Sequence, residues 1–166
     1  MKKIIIVILF ATLSFSVFAQ NPLQKGAFDL NAGLGFSGWG LPIYFGFDYG
    51  VHKDITIGGE ISYRSYNDDW DNHNYNHRVI GILGNGNYHF NSLLGIPNNW
   101  DFYAGLNLGF YTVSSSNGYN GSDNSGLGLG AQIGGRYFFN NKFGLNLEFG
   151  GGNSVSGGKF GITIKL

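Results

Sequence analysis

From Phe28 onward the chain steps, position by position, between bulky apolar residues and small or polar ones, in eight successive runs. Phe28, Leu30, Ala32, Leu34 and Phe36 alternate with Asp29, Asn31, Gly33 and Gly35. Leu41, Ile43, Phe45, Phe47, Tyr49 and Val51 alternate with Pro42, Tyr44, Gly46, Asp48 and Gly50. Further runs cover 55–64, 100–110, 127–137, 143–150 and 159–166. The fourth, from about His77 to Phe90, is irregular: Ile80, Ile82, Tyr88 and Phe90 share one face, but Val79 and Leu83 fall on the other. Period two places alternate side chains on opposite faces of an extended strand, so each run reads as a strand with one apolar face. No helical period is sustained past the first residues. No later stretch reaches the roughly 18 apolar residues that a membrane helix needs.

Alternation alone leaves open whether the apolar face points into a soluble barrel or out into lipid. Composition decides. Charged residues are 12% of the chain, against roughly 25% in soluble domains, so the face opposite the apolar one cannot supply a charged, water-facing exterior. That face is chiefly Gly, Asn, Thr and Ser, and the chain holds 29 glycines. The narrow interior of an eight-stranded barrel takes small residues, and lipid takes bulky ones. Phe28, Tyr49, Phe90, Trp100, Tyr137 and Phe139 fall at one set of strand ends and Phe36, Tyr63 and Phe110 at the other, where aromatic girdles stand in membrane barrels. The predicted fold is all-β: an eight-stranded antiparallel transmembrane β-barrel. Its last strand pairs with its first, because lipid tolerates no open sheet edge.

The N-terminus reads as a secretory signal: Lys2 and Lys3, an apolar stretch from Ile4 to Leu13, then Val17-Phe18-Ala19. Cleavage after Ala19 is expected, leaving a barrel domain of 20–166. Loss of two lysines takes 10 basic residues to 8 against 10 acidic ones, which gives no electrostatic reason to bind nucleic acid. The absence of Cys excludes disulfides and thiolate metal sites. His52-Lys53-Asp54 and Asn140-Asn141-Lys142 are tight turns, whereas 66–76 and 113–125 are long, polar loops and 151–158 is a Gly/Ser loop. Short turns belong on the periplasmic side and long loops outside. On that scheme the outer connection Ser37–Gly40 is unusually short, and 91–99 is long for its side.

The signal, the eight alternating strands and the ending Phe160-Gly-Ile-Thr-Ile-Lys-Leu166 resemble small outer-membrane barrels of the OmpA-membrane-domain, OmpX and OmpW type. That family usually ends in an aromatic residue, where this chain has Leu166. The resemblance covers nearly all of 26–166. It implies the outer membrane of a Gram-negative cell, with outer-membrane lipid and the barrel-assembly machinery as partners and no cofactor.

Nine charged residues fall on the inward face: Asp29, Asp48, Glu60, Arg64, Asp101, Arg136, Glu148, Lys159 and Lys165. Charges so placed need partners, so a lumen charge network is expected, with Glu60 and Glu148 on Arg64 or Arg136 and Lys165 near Asp29 across the closing seam. A lumen filled by side chains argues against a porin-like channel. Outside, Tyr66, Asp68, Asp69, Trp70, Asp71 and Tyr75 in the first long loop and Tyr119 in the second are the expected surface contacts. The acidic loop lacks the central Gly and closing Glu of a calcium loop, so no metal site is assigned. No HExxH, GxSxG or local His-x-Ser pattern is present, and no enzymatic site is assigned. These residues leave three functions in play. The first is a structural or surface-interaction barrel, the second a carrier of a small apolar ligand across or into the membrane, and the third a lipid-modifying rim enzyme.

Overall fold

The computed structural model describes residues 24–37, 40–70, 73–115, 125–153 and 156–166. The expected signal at 1–19 lies outside these residues. Eight strands form one closed barrel: β1 (Phe28–Phe36), β2 (Ile43–His52), β3 (Ile55–Trp70), β4 (His73–His89), β5 (Trp100–Ser115), β6 (Gly126–Phe138), β7 (Phe143–Gly152) and β8 (Gly157–Lys165). Each strand runs antiparallel to its sequence neighbour. The last closes on the first, from Asp29 opposite Lys165 to Phe36 opposite Gly158. The start of β1 and the end of β8 therefore meet at one end of the barrel, called here the terminal end, where the Leu166 N–H donates to the Phe28 carbonyl at 2.9 Å. The opposite end is the loop end.

The barrel is inverted relative to a soluble one. Strand β2 alternates exposed and buried along nearly its whole length; its exposed set is Ile43, Phe45, Phe47 and Tyr49, and its buried set includes Asp48. Leu106 and Leu127 are each 71% exposed on the outer wall, while Thr56 and Thr163 are fully buried in the lumen. In lipid that outer wall is solvated by hydrocarbon, and the polar residues are solvated by each other. At the terminal end the wall carries a run of rings: Trp100 stacks on Phe102 at 5.5 Å and leans on Tyr137 at 4.7 Å, and Tyr137 meets Phe139 edge-on.

Two loop expectations are corrected. The segments 66–76 and 113–125 are not loops throughout: β3 and β4 stay paired out to Trp70 opposite His73, and β5 continues to Ser115 opposite His77. Polar residues made these stretches read as loop, but a strand above the lipid has water on its outer face and needs no apolar period. The long terminal-end connection contains one helical turn, α1 (Asn91–Leu94), ended by Gly95 at φ 61°. Asn91 pins it to β5, its Nδ2 donating to the Trp100 carbonyl at 2.6 Å. Leu93 and Leu94 point outward beside the aromatic rim.

The lumen is not lined by small residues alone. Tyr44, Val79, Leu83, Tyr103 and Phe138 are all buried there, and glycines opposite the larger rings make the room. A Cβ on Gly134 would fall 2.4 Å from the Tyr103 ring, and one on Gly144 would fall 2.8 Å from Phe138. On the outer wall the same device seals the seam, where the Phe36 ring lies over Gly158.

Two outcomes follow from this packing. Gly134→Ala forces the buried Tyr103 ring aside and should cost about 1–3 kcal/mol. Gly151→Ala, where an added Cβ meets nothing within 4 Å, should be neutral. Urea unfolding in micelles followed by far-UV circular dichroism separates the two, and equal stability would refute the fit. Lys165→Glu sets two carboxylates opposite each other at the seam. It should lower the temperature at which the folded gel band is lost, and an unchanged temperature would count against the seam as described.

Candidate functional site

The candidate site is the lumen, because the fold collects nearly every buried polar residue there. The inward positions of alternating strands set its layers. Near the terminal end, β1 delivers Asp29, β2 Asp48, β5 Asp101 and β6 Arg136 to one level. The Arg136 side chain is 2% exposed and reaches across the barrel. Its guanidinium donates to Asp29 Oδ2 at 3.3 Å and to Asp48 Oδ2, lies 3.8 Å from Asp101 Oδ2, and covers the Tyr103 ring. One planar cation thus ties β1 and β2 across the lumen while standing beside Asp101 of its neighbour β5, which suits the fork geometry of arginine.

An amide and hydroxyl lattice extends this cluster. Asn31 donates to Asp48 at 2.8 Å, Thr163 to Asn31 at 2.7 Å, and Asn146 to Thr163 at 3.0 Å. Tyr44 donates its hydroxyl to Asn146 at 2.6 Å. On the other wall, Gln132 donates to Asn87 at 2.7 Å and accepts from Asn107 at 2.9 Å. His89 sits in the same layer, with Nδ1 2.7 Å from Asp101 Oδ1 and Nε2 3.0 Å from Thr56 Oγ1. This has the order of an acid–imidazole–hydroxyl relay. Thr56, His89 and Asp101 are each at most 1% exposed, so no substrate reaches the hydroxyl and the array serves to hold β3, β4 and β5 together.

One layer up, Lys159 lies between two carboxylates, 2.6 Å from Glu60 Oε2 and 2.7 Å from Glu148 Oε1. Tyr103 donates to the other oxygen of Glu148 at 2.8 Å. The expected pairing of Glu60 and Glu148 with Arg64 or Arg136 is therefore corrected. Each arginine lies at another level, and the residue at the right height is Lys159, directly opposite Glu148 in register. Lys165 does lie opposite Asp29 in register, but its ammonium rests 3.7 Å from the centre of the Phe138 ring. Arg64 stands apart from all five carboxylates of this set, and its Nη1 donates to Ser37 at 3.4 Å.

Above Lys159 the lumen opens into a vestibule at the loop end, about 750 Å³ of empty space counted to its open mouth. Val79, Leu83 and Pro42 form much of its apolar wall, Arg64 and Tyr111 stand near its mouth, and Glu60, Glu148 and Lys159 form its floor. The irregular fourth run is explained here: Val79 and Leu83 face inward and line this space.

Among the expected surface contacts, Tyr66, Asp68, Asp69 and Trp70 fall on β3 and Tyr75 on β4. Tyr66 stacks on His77 at 5.0 Å. Asp71 and Tyr119 lie outside the described residues. Among the described residues, no group of three His, Asp or Glu is placed to hold a metal. The fold also brings together a pair that sequence reasoning missed: His77 Nδ1 lies 2.7 Å from Ser115 Oγ. These residues are far apart in sequence, and only the β4–β5 register, His77 opposite Ser115, unites them. His77 is buried under Tyr66, which suits a cross-strand tie.

No protein-family profile matches the chain, nor does the sequence of any curated protein. Solved structures do. The outer membrane protein OprG from Pseudomonas aeruginosa superposes with a TM-score of 0.64 at 10% identity, over 89% of this chain and 99% of that one. Neisserial surface protein A gives 0.55 at 16%, over 84% and 95%. The attachment invasion locus protein Ail of Yersinia pestis gives 0.53 at 12%, over 84% and 97%. The chain thus has the fold of small, eight-stranded outer-membrane β-barrels.

Proposed function

We propose that this protein is an integral outer-membrane barrel that conducts nothing and acts at the cell surface through its loop-end structures. The β3–β4 hairpin carries the reading. Its β3 strand has 16 residues, which at about 3.3 Å each and a tilt near 45° rise roughly 37 Å, against an apolar band of roughly 25 Å. The outward residues change character where that arithmetic requires. Ile57, Ile61 and Tyr63 give way to Ser65 and Asn67 on β3, and Ile82 and Ile80 give way to Arg78 and Asn76 on β4. Beyond that line Asn76 bridges Ser65 and Asn67 at 2.9 Å each. A water-facing polar ladder continues a lipid-facing apolar one.

The terminal half of the lumen is closed by Arg136, its carboxylates and the amide lattice, which supports a barrel without a through-path. The surface-protein and attachment names of two structural relatives are in keeping with a surface role. The terminal end then faces the periplasm, the expected side for the chain that follows a cleaved signal. A second reading, binding of a small apolar ligand, is favoured by the apolar wall of the vestibule. A rim enzyme is not favoured, since the one Ser–His contact among the described residues is covered by Tyr66.

Orientation is tested with single cysteines, which the chain otherwise lacks. On intact cells a membrane-impermeant maleimide should label Asn67→Cys and spare Lys53→Cys until the outer membrane is opened; the reverse pattern would overturn the placement. In planar bilayers the wild-type barrel should give no steady single-channel current. Discrete openings from the wild type would refute the closed lumen. Shortening the hairpin within 66–76 should spare the heat-dependent gel shift but abolish adhesion of producing cells to host or abiotic surfaces, and adhesion unaltered by the deletion would remove the surface reading.

A further inference from the structure

The vestibule combines three features that lumen packing does not require. Its wall carries Val79 and Leu83 from β4, two inward aliphatic side chains on a lumen face that is otherwise mostly small, polar or aromatic. Its floor is closed by Lys159 between Glu60 and Glu148, one cation against two carboxylates. Its mouth carries Arg64, in ion-pair contact with no carboxylate among the described residues, while Arg136 and Lys159 are each held by acids. A guanidinium left with one long hydrogen bond to a serine keeps most of its donors for something else. Its planar fork suits a carboxylate.

We infer that the vestibule binds a small monocarboxylate with an unbranched apolar tail, the carboxylate on Arg64 and the tail along Val79 and Leu83. This deepens the ligand-binding reading above and rests on it. The charges set the orientation. The acidic excess at the floor repels a carboxylate and Arg64 attracts one, so the head stays at the mouth and the tail points down. The length follows from the wall. Val79 and Leu83 are four residues apart on one strand, roughly 13 Å along it, and that stretch has room for an extended tail of up to about ten carbons, so a six-carbon acid lies within it. A concave site with an apolar wall and a few convergent charged groups is of the kind that holds small ligands.

Equilibrium dialysis of radiolabelled hexanoate against the barrel in phosphocholine nanodiscs, with empty nanodiscs as blank, tests this. Wild type should show saturable binding of one equivalent. Arg64→Gln should weaken hexanoate at least tenfold and leave hexanol unchanged. Leu83→Trp, which fills the space, should abolish both, and Lys53→Gln in the far turn should alter neither. Each variant is first checked for the folded gel band. If Arg64→Gln fails to fold, competition on the wild type decides: hexylammonium should not displace hexanoate, and equal displacement overturns the inference. Hexanoate binding that Arg64→Gln leaves intact also overturns it. Saturable hexanol with no saturable hexanoate defeats the carboxylate assignment and spares the apolar-ligand reading. No saturable binding of either defeats both.

Discussion

An open strand edge cannot persist in hydrocarbon, because each unpaired backbone N–H or C=O there costs several kcal/mol. The β1–β8 seam is this protein's answer, and much else depends on it. Closing the sheet brings Asp29 opposite Lys165 and Phe36 opposite Gly158. It brings the start of β1 and the end of β8 to one rim, and it forces the inward faces of all eight strands to share one narrow space. From that point the inner residues must satisfy each other, since bulk water does not reach most of them.

Sharing the space is a problem of volume and then of charge. Volume is met by pairing large with small: Tyr103 lies where Gly134 leaves room, and Phe138 where Gly144 does. Glycine in these strands is therefore a packing choice. Charge is met by stacking the ion pairs in levels. Arg136 serves three aspartates at the terminal end and Lys159 serves two glutamates above it. A buried carboxylate left without its cation would be costly, so these contacts fix the relative height of strands on opposite walls as well as closing the lumen.

Closing one half of the lumen gives the other half its character. Above Lys159 the inward residues need not touch across the barrel, and a vestibule remains. Above the lipid the wall is uneven. The strands β3, β4 and β5 rise past the point where β2 begins at Ile43. The surface therefore has a tall polar side and a low side beside a partly apolar cavity. Both functional readings draw on this asymmetry.

The sequence by itself determined the strands, their two faces and which face meets lipid, since period two and the scarcity of charge are local properties that survive in one dimension. It also determined that Lys165 and Asp29 are neighbours, because closure makes the first and last strands adjacent whatever their details. It did not reveal that Lys159, not an arginine, bridges Glu60 and Glu148, nor that Asp101 joins His89 to Thr56, nor that Ser115 meets His77. Those contacts depend on the stagger between strands and on the barrel's diameter, which set the height of each inward residue. The upper hairpin was hidden for another reason: once both faces of a strand meet water, its polar residues no longer alternate with apolar ones, and only backbone pairing with its neighbour distinguishes it from a loop. The tertiary structure decided register, height and the reach of the hairpin, because these are fixed by hydrogen bonds between residues distant in sequence.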